Sequence, residues 1–226
     1  MKIIIINASP RENGATSKIL SEFASQLSRK GACTATFHLS NLEFSFCKGC
    51  CSCYKTSQCF LDDDAKKLSE IISGADGLII GTPCYVSDVS GQLKAFIDRG
   101  QFVFEQLLKG KHTIGVVTYE NYGGHLAYRT LKSLFVFSGA KTADKLIVKT
   151  PFNLDPVDSK AIKSQITKKA NKLHISIKNN KSSFLYRIIH FFVLNFGIKP
   201  FVHKKGEAYQ GVLQHWKERG IPHKSI

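Results

Sequence analysis

Five of the seven cysteines crowd into positions 47–59. Cys47, Cys50, Cys53 and Cys59 stand in the spacing C-x2-C-x2-C-x5-C, with Cys51 as an additional thiol. Four thiolates on so short a loop can wrap a [4Fe–4S] cubane. The same residues admit other chemistry. They could hold a zinc ion, although structural zinc sites usually pair two separated C-x2-C knuckles. They could form a redox dithiol such as Cys50/Cys53, or simply pack without a metal. Spacing alone leaves these alternatives open.

A second chemical segment is Asn7-Ala8-Ser9-Pro10-Arg11-Glu12-Asn13-Gly14-Ala15-Thr16-Ser17-Lys18. It leaves an apolar run and enters a helical pattern, so its chemistry is phosphate capture. A helix N-terminus offers unpaired N–H groups and a positive dipole end. Ser9, Thr16 and Ser17 add hydroxyl donors, and Arg11 adds a permanent charge. The same Ser, Thr and Asn residues are also good helix caps. Neither GxGxxG nor GxxxxGK[ST] occurs, which argues against a dinucleotide loop and a P-loop.

These residues need a scaffold that brings loops to one edge. Ile3–Ile6 reads as a central parallel strand buried on both faces. Further strands are expected at Thr34–Leu39, Gly77–Gly81, Thr113–Thr118 and Ala143–Val148. Helical patterns fall at about 15–29, 63–73, 91–108, 125–138 and 158–178. Strands alternating with helices predict a parallel sheet with right-handed crossovers. The number and order match an α/β, flavodoxin-like, doubly wound five-stranded parallel sheet of order 2-1-3-4-5, in which ligands sit at the carboxyl ends of the strands. The loops after strands one, three and four are thus the ones expected to bind.

The pattern Ser9-Pro10-Arg11…Gly14-x-Thr16-Ser17-Lys18 resembles that of NADPH-dependent FMN reductases, whose corresponding loop holds the FMN phosphate. Ala15 departs from the Gly-Asn-Thr triplet usual there. Residues Pro83, Cys84, Tyr85, Val86 and Ser87, followed by Leu93-Lys94-x-Phe96-x-Asp98-Arg99, resemble the P-x-Y…LKxFxDR block of the same family. That resemblance implies a wall for the isoalloxazine ring at Pro83 and Tyr85, with Cys84 as a packing residue. Thr118, Tyr119, Gly123 and Gly124 match the family's Gly-Gly loop more loosely; two glycines would admit a close ligand. The cysteine spacing and Asp62-Asp63-Asp64 are similar to those of iron–sulfur flavoproteins. The likeness covers about residues 1–150. It implies FMN as cofactor and NAD(P)H as co-substrate, with electrons passed to a quinone, flavin or nitro compound and possible involvement of the cluster. A cluster loop after strand two would lie at the flavin's edge of the sheet and could pass electrons to FMN, including that of a neighbouring subunit. The alternative it implies is a non-enzymatic carrier serving ferredoxin-like partners. No catalytic side chain is nominated, because hydride transfer needs no protein acid; His125 is read as structural.

Apolar residues at 43% and charged residues at 22% exclude a disordered chain. Thiols clustered this way, with no export signal in MKIIIINASP, point to a reducing, cytoplasmic compartment. The formal charge is +15, concentrated in residues 151–226, which hold 14 Lys+Arg against 4 Asp+Glu. No nucleic-acid motif accompanies it, so a solvated lysine face or an acidic redox partner is expected rather than nucleic acid. Domain 1–178 is followed by a basic helical extension at 179–226. Within it, Leu185, Ile188, Ile189, Phe192 and Phe196 make one apolar face over 184–202. Packing on the protein itself or on a partner subunit in a homo-oligomer is expected for that face, with membrane-surface contact as the alternative. A final short helix is expected over 207–220, with Trp216 as its anchor.

Overall fold

The structure is a computed structural model and describes residues 1–151 and 155–222. Five strands form one parallel sheet: β1 (Lys2–Asn7), β2 (Cys33–His38), β3 (Gly77–Pro83), β4 (His112–Tyr119) and β5 (Lys141–Lys149). Their order is β2-β1-β3-β4-β5, as the alternating pattern predicts. Ile3, Ile4, Ile5 and Ile6 are fully buried. Ile4 and Ile6 face one apolar layer, and Ile3 and Ile5 the other. This is the two-faced burial that an unbroken β-branched run requires.

Helices α1 (Ala15–Ser28) and α6 (Lys160–Lys178) cover one face of the sheet. Helices α3 (Asp64–Ser73), α4 (Gly91–Arg99) and α5 (Gly124–Phe137) cover the other. A five-residue helix, α2 (Ser52–Thr56), lies within the cysteine segment, which the sequence gives no reason to expect. Cys51 and Ser57 bracket it with left-handed backbones at φ 57° and 63°.

The helix expected over 91–108 ends instead at Arg99. Gly100 follows with the Phe102 ring folded over its Cα, so that a Cβ there would lie 2.1 Å from a ring carbon. Gln101 then takes φ 53°, which no right-handed helix accepts. The apolar residues from 102 to 108 keep a helical rhythm, but they pack as a turn-rich segment.

The extension forms α7 (Phe184–Phe192), a π-helical stretch (Val193–Ile198), α8 (Lys199–Lys205), a 3-10 turn (Gly206–Tyr209) and α9 (Gln210–Glu218). Pro200 stands at the start of α8. Proline lacks an amide and crowds the carbonyl four residues earlier, and the widened turn before it accommodates both. Leu194, Ile198, Val202, Val212, Leu213 and Trp216 build a small core of their own against Tyr54, Val103 and Phe104. The expected apolar face is not covered by the protein itself: Leu185, Ile188, Ile189, Phe192 and Phe196 are all exposed, as are Phe184 and Phe191 beside them.

α9 docks directly on the cysteine segment. His215 Nε2 lies 2.7 Å from the Ser57 carbonyl oxygen, the Tyr54 and Tyr209 rings stack at 4.7 Å, and Trp216 Nε1 donates to the Phe104 carbonyl at 2.7 Å. Gly211 makes this approach possible, since a Cβ there would fall 2.1 Å from the Ser57 backbone nitrogen. Gly211→Ala is therefore expected to lower stability by about 1–3 kcal/mol through overpacking. A fall in Tm with faster proteolysis of the extension than of the sheet domain checks it.

Candidate functional site

Two cavities gather the residues singled out in the sequence. The larger is a cleft of about 970 Å³ lined from the loops after β1, β3, β4 and β5. It lies at the carboxyl ends of the strands, where doubly wound sheets bind ligands.

One wall is the β1–α1 loop. Asn7 Oδ1 accepts from the Ser9 amide at 3.0 Å, and Asn7 Nδ2 donates to Ser17 Oγ at 2.8 Å. Ser17 Oγ in turn donates to the Arg11 carbonyl at 2.8 Å. Ser9 Oγ lies 3.1 Å from both the Arg11 amide and its carbonyl. The two serine hydroxyls thus hold the shape of the loop. What the loop leaves for an anion is backbone: Gly14 is the N-cap of α1 and provides no side-chain cap, and the first turn contains no acid. A Cβ on Gly14 would lie 3.1 Å from Arg11 Cβ and 3.4 Å from Ser9 Oγ, so this cradle accepts no side chain without shifting. Thr16 and Thr118 share a 2.7 Å hydrogen bond between buried hydroxyls. Two hydroxyls have two protons and this bond uses one, which leaves one donor to address a ligand.

The opposite wall runs from Pro83 to Ser87 and from Thr118 to Tyr122. Tyr85 and Asp88 exchange backbone hydrogen bonds at 2.9 and 3.0 Å, closing a two-residue turn with Val86 at φ 49° and Ser87 at φ 64°. A β-branched residue in that region is strained, and Val86 is also 97% exposed at the rim. Burial pushes the Cys84 thiol up from its ordinary value. It remains a protonated thiol that reaches the Tyr122 carbonyl at 3.7 Å, a packing role.

Ser9, Arg11, Gly14, Thr16, Pro83, Cys84, Tyr85, Val86, Ser87, Thr118 and Tyr119 therefore converge on one cleft. Ser17, Gly123 and Gly124 stand behind its surface. Gly123, at φ 83°, abuts Ser87, and Gly124 abuts the Tyr119 ring; a Cβ would meet these neighbours at 2.7 and 2.4 Å. These glycines let two ligand loops pack on each other. His125 is exposed and outside the lining. Sequence reasoning omitted the loop after β5, from which Thr150, Pro151, Asp155 and Pro156 line the cleft. Lys18 pairs with Asp155 across that corner, and this bond holds the Asp155 carboxyl below its ordinary pKa. The position of β5 in the sheet order was the available signal.

The smaller cavity, about 40 Å³, is lined by Cys47, Cys50, Cys51, Cys53 and Cys59 with Asp98, Arg99 and Gln101. That volume holds a few waters. Among the described residues no three metal-ligating side chains converge on one point, so closing a metal site requires the exposed part of the loop to move. The surroundings nevertheless suit a thiolate-ligated group. Arg99 Nε and Gln101 Nε2 are buried donors without a hydrogen-bond partner, and both residues line the thiol cavity. Arg99 also fixes the segment: Nη1 and Nη2 each donate to an Asp63 carboxylate oxygen at 2.8 Å. Nη1 donates as well to the Ser45 carbonyl at 2.5 Å, and Nη2 to that of Leu61 at 3.5 Å. Burial works against charge on Asp63, but the hydrogen bonds from Arg99 and from the Ser45 amide hold its carboxyl below the ordinary value. Burial, reinforced by Glu105, pushes the Cys53 thiol up to about 11.

The two cavities share no lining residue. The cleft lies beside the start of α4 and the thiol cavity at its end, and nine residues of helix span about 13 Å.

Residues 1–152 match the sequence model of the NADPH-dependent FMN reductase family. The chain belongs to that family. It is 38% identical over 225 residues to an iron-sulfur flavoprotein of Clostridioides difficile (strain 630), covering 98% of this chain and 100% of that one. The match therefore includes the cysteine segment and the extension. An NADH:FMN oxidoreductase (EMOB, apo form) superposes with a TM-score of 0.59 at 20% identity, over 77% of this chain and 89% of that one. A flavodoxin from Streptococcus pneumoniae TIGR4 superposes with a TM-score of 0.57 at 15% identity, over 78% and 99%. These two likenesses establish the flavodoxin-like fold of this FMN reductase family member.

Two expectations follow from the site's energetics. Val86→Gly removes a left-handed strain of about 1 kcal/mol and is expected to raise Tm without ligand. The other concerns Glu105, which is 1% exposed, has an Oε1 without a partner, and is raised by burial to about 8 from 4.5. The folded state keeps a proton that the unfolded chain releases. The resulting stability is complete below pH 4.5 and is lost as pH rises through 8. Glu105→Gln, which keeps the shape without the acid, should match the wild type near pH 5. At pH 9 it should be more stable by on the order of 3–5 kcal/mol, as read by denaturant melts at the two pH values.

Proposed function

We propose that the protein binds FMN in the large cleft and acts as an NAD(P)H-dependent oxidoreductase that passes electrons to a small acceptor, with Cys47, Cys50, Cys53 and Cys59 holding a [4Fe–4S] cluster. The observation carrying this reading is the cleft itself. An uncapped helix N-terminus with Arg11 stands at one wall and a Pro–Tyr turn at the other, around a volume at the upper end of the range for cofactor sites. Membership of the family supports the flavin. The name of the Clostridioides difficile relative and the two unpartnered donors at the thiol cavity support the cluster.

When bound, FMN supplies the exchange between two-electron and one-electron chemistry. The chain's own residues bind and orient. Arg11 and the first amides of α1 hold the phosphate, and the Thr16–Thr118 pair presents a hydroxyl proton. The Pro83–Ser87 turn and Tyr119 border the ring and exclude water on that side. No side chain in the cleft acts as proton donor or nucleophile in this reading. We place the protein in the cytoplasm, where the thiols stay reduced.

The charge of +15 favours one further reading, a carrier that receives electrons from an acidic, ferredoxin-like partner. Anaerobically purified protein separates the two. Flavin absorbance with rapid NADH or NADPH oxidation supports the enzyme, and inertness except with reduced ferredoxin supports the carrier. Protein that neither retains nor takes up FMN overturns both. Arg11→Ala is expected to weaken FMN binding about 10–100-fold, the loss of a charge-assisted hydrogen bond, with riboflavin binding unchanged in the same fluorescence titration.

A further inference from the structure

We propose that Gln101 and Arg99 donate N–H hydrogen bonds to the sulfurs of the cluster held by Cys47, Cys50, Cys53 and Cys59, and thereby set its reduction potential. The inference rests on the cluster reading above.

The evidence is an excess of buried donors in one place. Gln101 Nε2 and Arg99 Nε are both shielded from solvent and bonded to nothing. Leaving a buried polar group unmade costs about 1–3 kcal/mol, and native structures keep few such groups. Here two occur within three residues of each other, and both side chains line the small cavity bordered by the thiols. Cys53 and Cys59 border the same cavity.

Neither donor is free to turn away. Both Nη atoms of Arg99 are committed to Asp63 and to the carbonyls of Ser45 and Leu61, so the planar fork leaves Nε aimed at the cavity. Gln101 sits at φ 53°, immediately after the point where α4 ends. That backbone is strained for a glutamine, and it is what turns the side chain under the cysteine segment. A strained backbone and an unpartnered amide are two costs at one residue, and sulfur acceptors would offset the second.

The direction of the effect follows from charge. One-electron reduction adds a negative charge to the iron and sulfur atoms, and an N–H donor bonds a more negative sulfur more strongly. Hydrogen bonds to the sulfurs therefore favour the reduced state and raise the potential. Removing one should lower it.

The test uses full-length protein purified anaerobically, with FMN, iron and sulfide quantified before redox titration followed by EPR. Gln101→Leu is expected to keep FMN and iron and to lower the cluster midpoint by about 59 mV, a tenfold change in a one-electron equilibrium. A loaded Gln101→Leu protein with the wild-type midpoint overturns the inference and leaves the cluster reading standing. If Gln101→Leu loses iron, Gln101→Asn decides, because it keeps an amide donor and tolerates the left-handed backbone. Retention of iron by Gln101→Asn supports donation to sulfur, and equal loss in both variants overturns it in favour of packing alone. Wild-type protein without iron and sulfide overturns the cluster reading, and this inference with it.

Discussion

The arrangement around the thiols depends on one buried ion pair. The Arg99 side chain is 1% exposed and grips Asp63 through two parallel hydrogen bonds. Its remaining contacts are backbone carbonyls on either side of the cysteines, at Ser45 and Leu61. A buried pair of this kind is not a large source of stability in itself, but removing one partner strands the other and costs about 3–5 kcal/mol. Its structural effect is to close the ends of a loop from residue 45 to 61 against the end of α4. Asp63 also caps α3, accepting from the Ala65 amide. One carboxylate thus sets where a helix begins, where the arginine points and where the thiol loop is pinned.

The parts of this molecule that were legible in its sequence are those governed by local periodicity and burial. Ile3–Ile6 could only be a doubly buried strand, and Gly14-Ala15-Thr16-Ser17 could only open a helix. Every strand expected from such runs is present to within one or two residues. The end of α4 was not legible, because residues 102–108 keep a helical rhythm of apolar side chains. What stops the helix is a contact in space, the Phe102 ring over Gly100. Helix α2 was hidden for a related reason. Five residues bounded by left-handed cysteine and serine carry no periodicity, and their support comes from Gly211, Tyr209 and His215, more than 150 residues away.

The phosphate loop shows a subtler limit. Sequence counts its hydroxyls as ligand donors, but folding commits Ser9 and Ser17 to the Arg11 backbone and half of the Thr16–Thr118 pair to itself. Besides the Arg11 charge and one threonine proton, the groups left for an anion are amides, which belong to no particular side chain. The glycines of the β4 loop behave in the same way. They look like room for a ligand and are filled by Ser87 and Tyr119. Residue type identifies the chemistry a loop can do, while the distribution of its hydrogen bonds decides which atoms remain to do it.

The same reasoning changes the status of the extension. Taken by sequence it is a basic appendage that begins after the last helix of the α/β domain. In space its small core rests on Tyr54, Val103 and Phe104, and α9 presses a glycine against the residue that ends α2. The cysteine segment is therefore clamped between two supports of different origin, the Arg99–Asp63 pair from the α/β domain and α9 from the extension. The match to the Clostridioides difficile protein runs through the cysteines and the extension alike.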